Sequence, residues 1–276
     1  MYDITLYAKW NVNSYTITYL DHDGSDILIS SAEYGADLSS NSSPTPVREG
    51  FVFDGWFTTE EFTEEFTTIE GLTDDITLYA KMDLAEIVVP VEGTIDLSSL
   101  PYNEYLSDTN PVITFTVKDV GAMTLQLFPD VAQNSVNNMI QYITNGDYTN
   151  SEFHRIIEDF MIQGGIVENT NCAIDGEFSS NGITNDLEHY RGVLSMARTS
   201  VKNSATSQFF IVHKTTASLN GEYAAFGGLV SGFNVLDFLA VQSTNPDNDS
   251  PFRDFIIESI TVELNGYTPS TAICTE

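Results

Sequence analysis

The sequence predicts a mainly β protein of two domains: a small N-terminal module of alternating strands, then a larger antiparallel sheet closed on itself and plugged by two helices. Three observations carry this. Runs of strand length that alternate β-branched or aromatic residues with polar ones, bounded by Gly, Pro, Asn and Asp, recur along most of the chain. Helical periodicity holds in only two well-separated places, around residues 136–143 and 233–240, and many strands with few helices point to a closed sheet with helical plugs. The heptapeptide DITLYAK stands at residues 3–9 and again at 75–81, so the first part of the chain is built on a repeat. With 276 residues and a hydrophobic fraction of 42%, the chain is long enough for two domains and a sizeable core.

Because almost no chain precedes the first DITLYAK, residues 1–13 read as the last strand of a truncated preceding repeat, and the chain reads as a fragment. From Ser14, SYTITYLDHDG alternates as a half-buried strand before a turn at Asp21–Gly24. That AspHisAspGly run lacks the regular oxygen-ligand spacing of a calcium loop. After Glu33-Tyr34-Gly35 and the Pro44-Thr45-Pro46 break comes REGFVFDGWF, with Gly50 and Gly55 permitting tight backbone geometry. Trp56 and Phe51 are expected to fill the core of so small a module. Residues 83–110 lose sustained periodicity and read as a linker, with the apolar IVVPV as the one candidate strand that could dock on a neighbour.

The second domain, residues 111–268, opens as a hairpin in VITFTVKDVGAMTLQLF. Val136, Met139, Ile140 and Ile143 then fall at i, i+3, i+4 and i+7 on one helix face, with Asp130 or Asn134 as cap and Gly146 as terminator. A loop-rich stretch from Val167 to Tyr190 comes next, then the strand-like runs RGVLSMARTS and SQFFIVH, a turn in FGGLVSG, a short helix in FNVLDFLA and a last strand in FIIESITVEL. Residues 269–276 form a tail.

Charge and rare residues exclude several functions. Forty acidic against ten basic residues give a net charge of −30, which repels a phosphate backbone, so nucleic acid is not an expected partner. The four histidines, His22, His154, His189 and His213, are too scattered for a zinc site, and no metal or other cofactor is expected. No run has the apolar length of a membrane span, and residues 1–20 lack the pattern of a signal peptide. Cys172 and Cys274 have no metal spacing, and whether they bridge is left open.

One stretch asks for chemistry. FHRIIEDFMIQGG, residues 153–165, sets Arg155 among apolar residues, where a guanidinium that cannot lose its proton must reach solvent, a partner or a ligand. Taken alone, the stretch fits an arginine that simply faces water. Three further segments stand downstream: RGVLSMAR at 191–198, NSATSQFFIVH at 203–213 and LNGEYAAFGGLVSG at 219–232. In this order and spacing the four resemble the cyclophilin family of peptidyl-prolyl isomerases, over residues 111–268. The YTITY strand, EYG segment, PTPVREGFVFDGWFT and final DITLYAK likewise resemble the Listeria and Bacteroides type surface repeat, or internalin B-repeat family, over residues 14–82.

The second resemblance implies a β-grasp-like module in a bacterial, extracellular or cell-surface protein with other surface domains. The first implies an eight-stranded antiparallel β-barrel capped by two helices, with a groove on its outer face that takes proline-containing peptides. Residue by residue, it puts the catalytic arginine at Arg155 and the proline pocket at Phe160, Met161, Phe210 and Leu219. It puts polar contacts to the substrate backbone at Gln163 and Gln208, and the segment along which the peptide lies at Ala197 and Arg198. The implied activity is rotation about X-Pro bonds in protein clients, assisting folding; the alternative is a non-catalytic module that binds proline peptides or serves adhesion. Neither Ser-His-Asp nor metal patterns occur in this region, and bond rotation needs neither. Departures from the family pattern are Ser218 for a tryptophan, Tyr223 for a pocket histidine, Ile166 for an acidic residue and ENTNCAIDGEFSSNG for a glycine-rich loop. They bear on sequence preference and leave cyclosporin binding open.

Overall fold

The computed structural model describes residues 5, 7–21, 24–48, 50–168 and 170–275, which fall into two units, residues 1–86 and 87–276. His22, Asp23, Glu49 and part of the first DITLYAK therefore lie outside the described residues.

The first unit holds β1 (Ser14–Leu20), β2 (Asp26–Glu33), β3 (Leu38–Ser39), β4 (Phe51–Phe57), β5 (Thr68–Ile69) and β6 (Ile76–Leu84). Its main sheet has the order β2-β1-β6-β4, with β1 and β6 parallel at the centre, and β3 pairs with β5 separately. β6 is the second DITLYAK, and its Leu78 and Ala80 are fully buried. Trp56 is buried as expected, donates its indole N–H to the Pro44 carbonyl at 2.8 Å and meets Tyr19 edge-on at 4.9 Å. Phe51 is different: it is only half-buried at the start of the outer strand β4, with the Arg48 guanidinium 4.9 Å from its ring, and Phe53 packs on the core instead. An edge-strand start has neighbours on one side only, so Phe51 finds a cation where a central residue finds a core.

The second unit holds β7 (Val112–Val117), β8 (Gly121–Leu127), α1 (Gln133–Asn145), β9 (Arg155–Ile157), β10 (Met161–Gly164), β11 (Val193–Met196), β12 (Phe209–Val212), β13 (Ala225–Ser231), α2 (Phe233–Ala240) and β14 (Ile257–Glu263). Eight strands form one antiparallel sheet in the order β14-β7-β8-β13-β11-β12-β10-β9. It curls until its edges meet: Glu152 bridges Ile256, and the Phe153 N–H donates to the Phe255 carbonyl at 3.0 Å. Strand alternation then divides the apolar residues. Ile156, Ile162, Leu194, Phe209 and Ile211 point into the main core, whereas Met161, Val193, Phe210, Val212 and Ala225 form a second cluster on the other face.

Both helices plug the barrel, and both are capped from far away. The apolar face of α1 is the expected one, and Gly146 ends it in the left-handed conformation, φ 79°. Its start is not capped by Asp130 or Asn134. Glu177 accepts from the N–H groups of Asn134 (3.0 Å) and Ser135 (2.7 Å), while the Asn134 side chain binds both backbone groups of Ile273. At α2, Glu92 accepts from the N–H groups of Gly232 (2.9 Å) and Phe233 (2.6 Å) and from the Ser231 hydroxyl (2.8 Å). Burial alone would raise the Glu92 pKa; the hydrogen bonds together outweigh it and lower the pKa.

Glu92 also changes the reading of residues 83–110 as a linker. β6 runs to Leu84, and from Ile87 the segment belongs to the second unit, without a strand of its own. Tyr102 is fully buried and donates its hydroxyl to the Leu229 carbonyl at 2.7 Å, and Val89, Ile95 and Leu100 pack on the barrel. Single anchors replace a periodic face, which is why the stretch reads as aperiodic. The same tyrosine explains the glycine within FGGLVSG, expected to introduce a turn: residues 226–231 lie inside β13, the chain turns only at Gly232, φ 92°, and a Cβ on Gly228 would collide with the Tyr102 ring. The tail is tied as well. Cys274 forms a disulfide with Cys172, and the Ser270 hydroxyl accepts from the Asn137 side chain at 2.8 Å.

Candidate active site

FHRIIEDFMIQGG folds as a hairpin, with Asp159 at φ 59° in the turn between β9 and β10. Register aligns its side chains. Arg155 pairs across the ladder with Gln163, and Gln163 pairs with Phe210, so the three side chains stand in a row on the outer face. Met161 shares that face two residues earlier.

Around this row lies a cavity of about 160 Å³, lined by Arg155, Phe160, Met161, Gln163, Ala197, Arg198, Phe210, Leu219 and Tyr223. Of the ten residues named from the sequence, nine line it. Gln208 lines an adjoining cavity with Thr199, Ser204 and Thr206, and its side-chain carbonyl accepts from the Gln163 amide at 2.9 Å.

The two arginines are held in opposite ways. The Arg155 side chain is 38% exposed, and its Nε and Nη2 both donate to Asp249 Oδ2, at 3.1 and 2.9 Å. Among the described residues, none accepts a hydrogen bond from Nη1. The Arg198 side chain is 11% exposed. Its Nε and Nη2 donate to the Glu222 carbonyl at 3.0 and 2.9 Å, and its Nη1 to the Thr199 carbonyl at 2.8 Å. Its guanidinium carbon lies 4.5 Å from the Tyr223 ring centre and 5.3 Å from that of Phe178, within cation–π range of both.

Behind the apolar wall sits a buried histidine. Tyr223 meets Phe210 edge-on at 5.7 Å, and Phe210 stacks on His189 at 6.0 Å. His189 is fully buried, with Nδ1 3.2 Å from Asn220 Oδ1 and Nε2 3.0 Å from the Ser195 hydroxyl. The Asn220 oxygen also accepts from the His189 backbone N–H, so Nδ1 carries the proton and Nε2 accepts from Ser195. Burial pushes the His189 pKa down to about 4, and the ring is neutral at pH 7.

Reading the sequence missed Asp249, Glu222, Phe178 and Ser195, and counted His189 only as one scattered histidine. Asp249 lies 94 positions from Arg155 in the chain, and no local pattern links the two. Ser218 is exposed, and Ile166 is 51% exposed.

Fold and site together put the second unit in the class of curled antiparallel barrels that carry their cleft on the outer face of the sheet. Comparison with known proteins narrows the class. Residues 112–262, more than half the chain, match the model of the cyclophilin type peptidyl-prolyl cis-trans isomerase/CLD family, and the chain belongs to that family. Residues 15–81 match the Listeria-Bacteroides repeat domain. Among curated relatives, the chain is 42% identical over 92 residues to peptidyl-prolyl cis-trans isomerase B of Escherichia coli (strain K12), covering 33% of this chain and 56% of that protein. It is 37% identical over 121 residues to peptidyl-prolyl cis-trans isomerase A of Dickeya dadantii (strain 3937), covering 42% of this chain and 61% of that protein. The chain thus spans less than two thirds of the length of these relatives. A crystal structure of a Cryptosporidium parvum cyclophilin type isomerase superposes with a TM-score of 0.51 at 28% identity, covering 56% of this chain and 98% of the other.

Proposed function

We propose that the second unit catalyses cis-trans rotation about X-Pro bonds in peptides laid across the outer groove, with Arg155 as catalyst. One observation carries the reading: a half-exposed guanidinium with unoccupied N–H groups lines the same cavity as Phe160, Met161, Phe210 and Leu219. Peptide-bond rotation costs about 18–20 kcal/mol because the C–N bond is partly double. In the twisted transition state the proline nitrogen pyramidalises and regains its lone pair, which a guanidinium N–H stabilises while making no such bond to the planar ground state. Family membership and relatives named as isomerases support the same reaction.

Arg155 supplies only part of the acceleration. Going from about 100 s to about a millisecond is five decades, or roughly 7 kcal/mol. One charge-assisted hydrogen bond contributes about 1.5–3 kcal/mol. The apolar residues must therefore hold the proline ring while the carbonyl side turns, and exclude water that weakens the arginine's contact. Gln163, Gln208 and the backbone at Ala197 and Arg198 would hold the peptide on either side of the proline, and the adjoining cavity offers a second side-chain position.

The clients are exposed X-Pro segments of other proteins, and the chain acts at a bacterial surface. The repeat match and the Cys172–Cys274 disulfide, a bond that persists in oxidising compartments, support that placement. Exchange NMR on an X-Pro peptide with catalytic amounts of the chain tests the reaction. Line broadening between cis and trans signals is expected. Saturable peptide binding with no exchange above background would turn the reading into the alternative, a binding or adhesion module.

A further inference from the structure

We infer that Asp249 is a positioning residue for Arg155, restraining the guanidinium so that the N–H groups it leaves free, two on Nη1 and one on Nη2, are the ones left to meet the substrate. For its effect on rate, this rests on the isomerase reading. Both bonds from Arg155 end on a single oxygen, Asp249 Oδ2, and together they take the Nε edge of the guanidinium. Two bonds from one edge to one oxygen hold that edge against the carboxylate and restrain the last side-chain torsions more than a single bond would. The remaining donors lie on the far side of that edge.

The loop that carries Asp249 is built to hold it there. The Asp249 carbonyl accepts from the Ile156 N–H at 2.9 Å, so the backbone of the carboxylate is pinned to the strand residue next to Arg155. The Asp249 N–H donates to the Asn245 carbonyl at 2.8 Å, and Thr244 bridges Pro251 across the base of the loop. Asp249 itself sits at φ 60°, a left-handed conformation that aspartate tolerates better than most residues. Stability alone does not call for this arrangement: the two side chains are 38% and 36% exposed, where an ion pair contributes little. It does restrict a long side chain before the substrate arrives, which lowers the ordering cost in the transition state.

Geometry and charge are separable at this position, and three variants of the full chain test them. Asp249→Ala removes acceptor and charge, Asp249→Asn keeps an acceptor oxygen, and Asp247→Ala changes an exposed neighbour in the same loop. Asp249→Ala is expected to lose about tenfold in kcat/KM, chiefly in kcat, Asp249→Asn no more than about threefold, and Asp247→Ala nothing measurable. A second readout needs no turnover: the 15N-ε signal of Arg155 should show restricted rotation in the parent chain and in Asp249→Asn, and free averaging in Asp249→Ala. If the parent chain itself turns nothing over, the isomerase reading fails while this signal still decides the positioning. Wild-type rate with an unchanged signal in Asp249→Ala would overturn the inference. So would equal losses in the Ala and Asn variants accompanied by equally lowered thermal midpoints, which would make Asp249 a loop-folding residue.

Discussion

The cavity has a wet rim and a dry wall, each with an arginine, and the two are built on different principles. At the rim, Arg155 is 38% exposed and keeps donors free, with Gln163, Gln208 and Asp249 around it. Along the wall, Phe178, Arg198, Tyr223, Phe210 and His189 succeed one another in ring contact, and the nitrogens of Arg198 and His189 find their partners inside the protein. Groups with spare donors can respond to a charge that develops during a reaction. Groups whose donors are already engaged can only hold shape. Damage to the wall should therefore appear in stability, and damage to the rim in rate.

The largest effect is expected at the deep end of the wall. His189 has a folded-state pKa of about 4 against an ordinary value of about 6.5. Its contribution to stability is complete above pH 6.5, where both folded and unfolded chains are neutral. Between about 6.5 and 4 only the unfolded chain takes the proton, so stability falls with pH through that window, by up to about 3 kcal/mol. Denaturation followed by near-ultraviolet circular dichroism at a series of pH values reads this; tryptophan emission does not, because the only two tryptophans, Trp10 and Trp56, lie in the first unit. Burial also depresses His154, which titrates in both parent and variant, so His189→Gln isolates the wall histidine by difference. An identical pH slope in the two proteins would show that the buried ring does not support the wall.

The rim should answer in rate. Arg155→Ala is expected to lower kcat/KM at least tenfold, corresponding to loss of one charge-assisted hydrogen bond made in the transition state. Its thermal midpoint should move by no more than about 4 °C, since the exposed pair with Asp249 contributes about 0–1 kcal/mol. Exchange NMR and a melting curve on one preparation give both numbers. A retained rate with a lowered midpoint would move Arg155 from the rim to the wall and break the comparison.

The rim was more legible in the sequence than the wall, and the reason is physical. Arg155 is conspicuous because a permanent cation in an apolar run contradicts its surroundings, and the three downstream segments name its neighbours. The face of α1 and its glycine stop are legible for a similar reason, since a periodicity and a left-handed terminator are local. What stayed hidden is non-local. Glu177 and Glu92 cap helices more than forty residues away in the chain, and Tyr102 anchors a stretch with no period and forces glycine into a strand. Asp249 and the contact of Arg198 with Phe178 belong to the same class: each depends on how the barrel brings distant loops together. Alternation predicts that Phe210 lies on one face of its strand, but not that a histidine lies behind it.

The smallest effect, and the sharpest separation, is expected at Arg198. Resemblance assigns this position to the segment along which the peptide lies, yet its side chain is 11% exposed and three of its nitrogens already donate to carbonyls. It is placed to prop Tyr223, which closes the cavity against Phe210. Arg198→Lys keeps the charge and loses the planar fork, since an ammonium cannot span the two carbonyls as the guanidinium does. Stability should fall by about 1 kcal/mol, the net contribution of a hydrogen bond lost with the fork. KM should rise a few-fold as the wall loosens, with kcat within about twofold of the parent, because nothing that donates in the transition state has been removed. Steady-state rates over a range of peptide concentration, with a denaturant midpoint on the same sample, separate the possibilities. A tenfold loss of kcat at unchanged stability would make Arg198 a second rim donor, and the division between wet rim and dry wall would have to be redrawn with both arginines on one side.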